Sequence, residues 1–466
     1  MSKVQKISDF AKETGSRMID LKYVDLVGRW KHITVPVSKL NDALFEKGIG
    51  FDGSSTAGFK QVEKSDTNII PDPDTLFIDP FWQDPTISMI CDVVDAETSE
   101  PFPLDPRHIA KKAENHLISS GIADASLWGP EHEFFIFDGI QYSNKNQTSF
   151  FNILEDESYI GYTTAPGSGY HVSSPADKFR SIRSEICLLL EENGVPIKYH
   201  HGENGWPGQQ EIETSLESLV KAADSTMLIR YFTRNVAAKN GKAVTFMPKP
   251  MANECGSGMH VHQVLNKDNK TLFYDKDNYA GLSQLALYYI GGILKHGPAL
   301  TGLICASTNS YRRLVPGFEA PTLRGFGLGN RTVALRIPSY ANSADTKRIE
   351  FRTPDAICNI YICLAAQLMA GIDGIVNKID PVKEGFGPFD VNIFDLPEEE
   401  QKKIGYLPDS LEKALQSLQE DHEFLLAGDV FPKEVIDNWI NYKTQKEVLP
   451  LKLNPTPHEF ELYYDF

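Results

Sequence analysis

Apolar and polar positions along this chain follow two periods, and the change from one to the other divides it. Over residues 1–103 the pattern is mostly two-residue alternation. After a short polar, amphipathic opening, the segments Met18–Val27, Lys31–Val37, Ile69–Pro80 and Thr86–Val94 read as strands, with a polar loop, Gly48-Ile49-Gly50-Phe51-Asp52-Gly53-Ser54-Ser55, between the pairs. Short mixed strands with one helix predict a small α+β unit. Near Pro101 the punctuation changes. Asp105-Pro106 supplies an N-cap and a proline at the first helical position, so a helix is predicted from there to Gly121. Helical periods follow at 177–193, 214–240, 280–296 and 359–378, the second of these opening on Thr214-x-x-Glu217, a capping-box pattern. Strand-like segments alternate with them, which makes 104–466 a second, larger unit. Residues 140–172 carry no strong period and read as a long insertion or loop. Two more helices are predicted at 409–426 and 432–447, ahead of an aromatic end, Phe460-Glu461-Leu462-Tyr463-Tyr464, that is apolar enough to dock on something.

Composition narrows this picture. At 466 residues the chain exceeds one ordinary core, and 41% hydrophobic content is that of a folded protein. No run of eighteen apolar residues and no apolar leader is present, so neither a membrane span nor a secretory signal is expected. Six cysteines without a CxxC pair support neither a disulfide framework nor a zinc ribbon, and a reducing cytoplasm is the simplest home. The net charge of −17 disfavours nucleic acid and anionic membrane as partners. Against that background, seven of the fourteen arginines fall between Tyr311 and Arg352 (Arg312, Arg313, Arg324, Arg331, Arg336, Arg348 and Arg352), with Lys347 the only lysine among them. Forked planar donors gathered without lysine suit carboxylate or phosphate oxygens. Interdomain salt bridges explain the same cluster equally well.

Four segments shift that balance. Glu131-His132-Glu133-Phe134-Phe135 is strand-like and places two carboxylates on one face. Gln209-Gln210-Glu211-Ile212-Glu213 repeats the pattern, with Glu203 eight residues earlier. Met259-His260-Val261-His262 sets two imidazoles on one face after a Gly256-Ser257-Gly258 bend, and Arg348-Ile349-Glu350-Phe351-Arg352 alternates charge with apolar residues. Any one of them alone is a half-exposed strand. Together they imply a sheet with a polar face of Glu, His and Arg. Oxygen ligands with a single imidazole suit Mg²⁺ or Mn²⁺ better than zinc, and two such ions beside arginines are the parts of phosphoryl transfer. No Walker-type GxxxxGK[ST] is present. On the residues alone, a dimetal phosphohydrolase is as open as a synthetase.

These segments, in this order, resemble glutamine synthetase of the bacterial class I type. The resemblance rests on FDGSS (51–55), GPEHEFFIFD (129–138), HHGENGWPGQQEI (200–212), PKPMANECGSGMHVH (248–262), RRLVPGFEAP (312–321), NRTVALRIP (330–338), RIEFRTPD (348–355) and the closing EFELYY (459–464). It spans essentially the whole chain. It implies a small β-grasp-like N-terminal domain (1–103), a catalytic domain (104–466) built on an open antiparallel α/β barrel, and a dodecamer of two hexameric rings. Each active site would then lie between one subunit's N-terminal domain and its neighbour's catalytic domain.

The resemblance also implies roles. One Mg²⁺ or Mn²⁺ would be held by Glu133, Glu203 and Glu211, and a second by Glu131, His260 and Glu350. ATP would meet Arg331, Arg336, Arg348 and His262. Glutamate would meet Arg313, Arg352 and the backbone of Gly256. Asp52, with Asp66 near it, would take the ammonium site, and Glu319 would be the carboxylate of a closing flap that also touches glutamate. Arg331 counts with Asp52 and Glu319 as catalytic. Arg312, Arg324, His132, His200 and His201 are read as structural or supporting, and Cys255 as an ordinary thiol. Departures from the family pattern are Cys255 for asparagine, His132 for proline, Lys198 for a glutamate and Val264 for a serine at the nucleotide. Phe394 stands where some members carry an adenylylated tyrosine, so that switch is expected to be absent. The implied reaction is ATP-dependent ligation of ammonia to the γ-carboxylate of glutamate through γ-glutamyl phosphate. A polyamine-ligating relative and a non-catalytic structural relative are the alternatives. Asp52 and Asp66 favour ammonia over the first, and the complete metal-ligand set opposes the second.

Overall fold

The computed structural model describes residues 3–59, 65–155, 161–162, 164–316 and 320–466. Its N-terminal sheet grows from the hairpin Met18–Val24/Trp30–Pro36, whose first strand pairs in parallel with Thr86–Asp95. Asp66–Pro71 continues the sheet from the other edge of Thr86–Asp95, and Ile49–Asp52 closes it. Ile19, Leu21, Ile69, Ile87, Met89 and Val93 are fully buried, so the inward positions of the alternation form this unit's core. The outer strand Trp30–Pro36 keeps one face half-exposed, as an edge strand does. The stretch 69–80, where short strands split by Pro and Asp are expected, holds the end of Asp66–Pro71 and the strand Phe77–Asp79, separated where Pro73 opens a single helical turn.

A ten-stranded sheet organises the rest. Its backbone is Ala125–Phe137, thirteen residues that change partners midway: residues 125–130 pair with Val261–Lys267, and 131–135 with Gln209–Thr214. Ile197–Gly202 extends one side, while Ile349–Phe351, Leu335–Ile337 and Phe326–Leu328 extend the other. Every named pairing in it is antiparallel except that of the last two strands. The helices Leu219–Lys239 and Ile360–Val376 are buried along most of their length. The second packs so closely on Gln284–Lys295 that a Cβ at Gly292 would stand 2.0 Å from the Ala370 carbonyl oxygen, which requires glycine at the crossing.

The two sheets are tied at Arg107. This buried guanidinium, in the first turn of helix Pro106–Ser119, bonds Asp72 (2.8 Å) and Asp92 (2.7 Å) of the N-terminal unit and Asp224 (2.8 Å) of helix Leu219–Lys239. Nearby, Asn359 donates to the carbonyls of Asp25 and Leu26.

Three local expectations give way. Thr214 does not cap a helix. Its backbone is committed to the sheet opposite Ile197, Glu217 pairs with Trp128 in a two-residue strand, and the helix begins only at Leu219. Residues 139–154 are a hairpin, Gly139–Lys145 against Thr148–Leu154, and not loop. Both its faces are largely exposed, so burial imposes no alternation on its sequence. The helix predicted at 409–426 is broken at Asp421-His422 into Leu411–Glu420 and Glu423–Leu426. The chain ends in a short helix, Pro457–Tyr463, on which Phe460, Leu462 and Tyr463 are exposed, as is Tyr464 just after it. Among the described residues no helix is long and apolar enough to cross a membrane.

Candidate active site

Strand register builds the site. Glu133 lies directly opposite Glu211, and Glu131 opposite Glu213. His201 continues the first row beyond Glu211. On the far side Glu350 is flanked by His262 and Arg336. Like charges facing each other across two strands are unfavourable, and four carboxylates placed so need a counter-charge. A cavity of about 680 Å³ opens over these rows. Its walls include Glu131, Glu133, Glu203, Glu211, His260 and Glu350 together with Arg331, Arg336, Arg348 and Arg352.

Within it two clusters have the reach of metal sites. Ligand atoms of Glu131, His260 and Glu350 lie within 4.8 Å of one another, as do those of His201, Glu203 and Glu211. Burial, followed by the charges of Glu131, Glu133 and Glu203, pushes the Glu211 carboxyl well above the usual carboxylate range. That repulsion is what a divalent ion would relieve, so the donor set fits a hard cation. Burial acts in the same sense on Glu131, but the rings of His260 (2.9 Å) and His262 (2.8 Å) outweigh it and hold that carboxyl well below its ordinary value. Glu133 accepts from the Gly258 backbone N–H (2.8 Å) and from the Gln209 amide (3.1 Å), which also donates to the Gly256 carbonyl. Glu133 therefore stands between the clusters, with Oε1 3.7 Å from His260 Nε2.

Arginines close the opposite wall. Arg336 bonds one oxygen of Glu350 (2.5 Å) and Arg352 the other (2.6 Å), and both arginines line the cavity. Arg348 donates to His262 Nδ1 at 3.4 Å. The guanidinium carbons of Arg336 and Arg348 lie 5.7 and 5.3 Å from the Tyr340 ring centroid, an aromatic shelf for two cations.

Several expected residues sit elsewhere. His262 is buried behind Glu131 and does not line the cavity. Arg313 is buried, with its guanidinium on the carbonyls of Thr353 (2.8 Å), Pro354 and Arg352. A Cβ at Gly258 would stand 2.5 Å from Arg313 Nη2 and 3.1 Å from His260 Nε2, so the glycine lets guanidinium and imidazole approach across the bend. Arg324 lies against Phe386, away from the cavity wall. Asp52 and Asp66 face each other on neighbouring strands of the N-terminal sheet, and neither lines this cavity. Hydrogen bonds from Ser54 and Ser55 hold the Asp52 carboxyl below its ordinary value. Glu319 lies outside the described residues.

His201, read as structural or supporting, and Tyr340, which the sequence does not single out, both line the cavity. Their signals were weak: His201 alternates with Tyr199 on a short strand, and Tyr340 follows the arginine strand by three residues. His132, by contrast, is a core residue. Burial lowers it to about 3, and its ring bonds Thr226 Oγ1 and the Ile212 carbonyl as a neutral imidazole.

Comparison with known proteins decides the family. Residues 15–96 match the family description "Glutamine synthetase, beta-Grasp domain" and residues 103–463 match "Glutamine synthetase, catalytic domain". The chain belongs to the glutamine synthetase family. Glutamine synthetases of Nostoc sp. and Aquifex aeolicus are each 44% identical to it, the first over 100% of both chains and the second over 99% of this chain and 98% of its own. The fold is that of the Plasmodium falciparum glutamine synthetase, with a TM-score of 0.89, 26% identity, and 100% and 99% of the two chains covered. A GmaS/ADP complex superposes with a TM-score of 0.83 at 26% identity, over 98% of this chain and 99% of the other. Within the family frame the N-terminal sheet is the β-grasp unit, and the ten-stranded sheet carries the mixed α/β catalytic unit.

Proposed function

We propose that this protein ligates ammonia to the γ-carboxylate of L-glutamate at the expense of ATP, giving L-glutamine, ADP and phosphate by way of γ-glutamyl phosphate. The observation that carries the reading is the juxtaposition of two carboxylate–imidazole clusters with Arg331, Arg336, Arg348 and Arg352 around one cavity. Divalent ions, Mg²⁺ or Mn²⁺, held by Glu131, His260 and Glu350 and by Glu133, Glu203 and Glu211 would supply charge neutralisation for the transferring phosphoryl group. Arg331 and Arg336 meet the same developing charge from the opposite wall with planar donors. Arg348 orients the nucleotide, supported on Tyr340. Arg352, with Arg313 and the Gly256 backbone behind it, orients glutamate so that its γ-carboxylate faces the phosphate.

The ammonia step needs a carboxylate that stays ionised, holds ammonium and accepts its proton. Hydrogen bonding from Ser54 and Ser55 keeps Asp52 in that state. Asp52 and Asp66 reach a site only in another subunit, in a cytoplasmic dodecamer of two hexameric rings whose subunits divide at about residue 103. Glu319, as the flap carboxylate, excludes water from the acyl phosphate and takes the last proton.

Phosphate release from MgATP, with glutamate and ammonium omitted in turn, tests the reading. Release is expected to need glutamate and to reach its full rate only with both. ATP turnover indifferent to glutamate would overturn the synthetase and point to a phosphohydrolase.

A further inference from the structure

A third group with the reach of a metal site lies at the edge of the cavity, where Glu131 lines the wall and Glu213 and His262 are buried behind it. Ligand atoms of Glu131, Glu213 and His262 lie within 4.8 Å of one another. Glu213 Oε2 has no hydrogen-bond partner although the side chain is only 2% exposed. Glu213 Oε1 stands 3.9 Å from His262 Nε2, and a buried carboxylate beside a second carboxylate and an imidazole is the donor set of an oxygen-rich cation site. One member of the group already has a counter-ion. The ammonium of Lys198 pairs with the other oxygen, Oε1, of Glu213.

Local backbone geometry puts it there. Strand Ile197–Gly202 pairs with Gln209–Thr214, but the register slips between Ile197, which faces Thr214, and Tyr199, which faces Glu213. Lys198 is the extra residue of that irregularity. An inserted residue of this kind redirects a side chain that strict alternation would send to the opposite face. Lys198 thereby lines the active-site cavity alongside Tyr199, and its ammonium sits 4.9 Å from the Tyr199 ring centroid.

We propose that Lys198 is a built-in counter-ion that neutralises Glu213 of the Glu131–Glu213–His262 cluster and so keeps a third divalent ion from binding there. Its ammonium supplies one fixed positive charge at the nucleotide side of the cavity. Lysine is suited to this because a compact, three-donor point charge on a flexible stem can take the place of a small ion, which the fork of arginine does less well. The consequence is a latent site: replacing the ammonium by an apolar stem of similar length leaves the buried Glu213 carboxylate without its counter-ion, beside Glu131 and His262, and an external cation restores the balance.

The inference rests on the two-ion reading above, and the test separates them. The wild-type count of bound Mn²⁺ per subunit, by titration calorimetry and by metal analysis after desalting, reads the two-ion proposal. The difference between variant and wild type reads this one. Lys198→Met is expected to bind one more Mn²⁺ per subunit than wild type, with Lys198→Arg at the wild-type number. The double variant Lys198→Met/Glu213→Gln, which removes both charges and so relieves any folding penalty of an unpaired Glu213, is expected to return to the wild-type number. An unchanged count in Lys198→Met protein of wild-type assembly size, or an extra ion that survives Glu213→Gln, would overturn the proposal. So would a wild-type ion lost on Glu213→Gln alone.

Discussion

Glu350 shows how much one side chain carries. It is 1% exposed, its two oxygens are taken by Arg336 and Arg352, and it belongs to the cluster with Glu131 and His260. Glu350→Gln keeps the volume and removes the charge. The buried Arg352 and the half-buried Arg336 then lose their counter-ion, and the metal cluster loses a ligand. We expect turnover to fall by roughly two orders of magnitude or more, the scale for losing a positioned electrostatic partner, while gel filtration still shows the wild-type assembly. Gly258 makes the complementary case, where a side chain is excluded. A methyl there would enter the space of Arg313 Nη2. Since Gly258 N–H also holds Glu133, Gly258→Ala is expected to weaken Mn²⁺ binding, read by calorimetry, more than it lowers the melting temperature. These two residues also mark what was legible in the sequence. Glu350 could be read because two-residue alternation puts it between two arginines. The exclusion at Gly258 could not, because it depends on Arg313, fifty-five positions further along the chain.

At the scale of elements, the same distinction holds. Strands with one polar and one apolar face were readable from their period, and they carry the site. The hairpin 139–154 was not readable, because neither face is buried deeply enough to impose a pattern. The capping-box motif at Thr214 lost to the ladder that engages its backbone, a case of tertiary pairing overriding a local signal. Helix junctions add a titratable contact. His296 joins helices Gln284–Lys295 and Gly297–Ile304, stacks on Phe424, and bonds Asp373 (3.0 Å) and Asp421 (2.8 Å). Burial alone would lower its pKa, but the two carboxylates outweigh burial and raise it above the ordinary value. A raised histidine stabilises the fold fully below its unfolded pKa of about 6.5, and that contribution is lost as pH rises through the folded value. Thermal melts of wild type and His296→Gln should therefore differ most below about pH 6.5, by about 2 kcal/mol, the range for a hydrogen bond to a charged group. The gap should close toward alkaline pH. A gap independent of pH would assign the residue's contribution to packing on Phe424.

In a single chain the residues expected at the site do not all meet. All six carboxylate and imidazole groups assigned to the two ions line one cavity, but Asp52 and Asp66, paired on neighbouring strands of the β-grasp unit, do not line it. The exposed aromatic tail, with Leu453, Phe460 and Tyr464 each more than half exposed, offers a further apolar surface for other copies. Both features follow if active sites form between neighbours in a closed ring, each subunit lending Asp52 to the next through a head-to-tail interface. That arrangement has a quantitative signature. Take Asp52→Asn and Glu350→Gln, each nearly inactive as a pure assembly, and co-express them at equal levels. A site in the hybrid is intact only when an Asp52→Asn subunit provides the catalytic unit and a Glu350→Gln subunit provides the β-grasp unit. Random head-to-tail mixing makes about one site in four intact, so the hybrid should recover about a quarter of wild-type activity. If Asp52 served its own chain, every site would carry one lesion and the hybrid would stay as inactive as its parents. Varying the expression ratio sharpens the test, because recovered activity should follow the product of the two subunit fractions and peak at equal mixing.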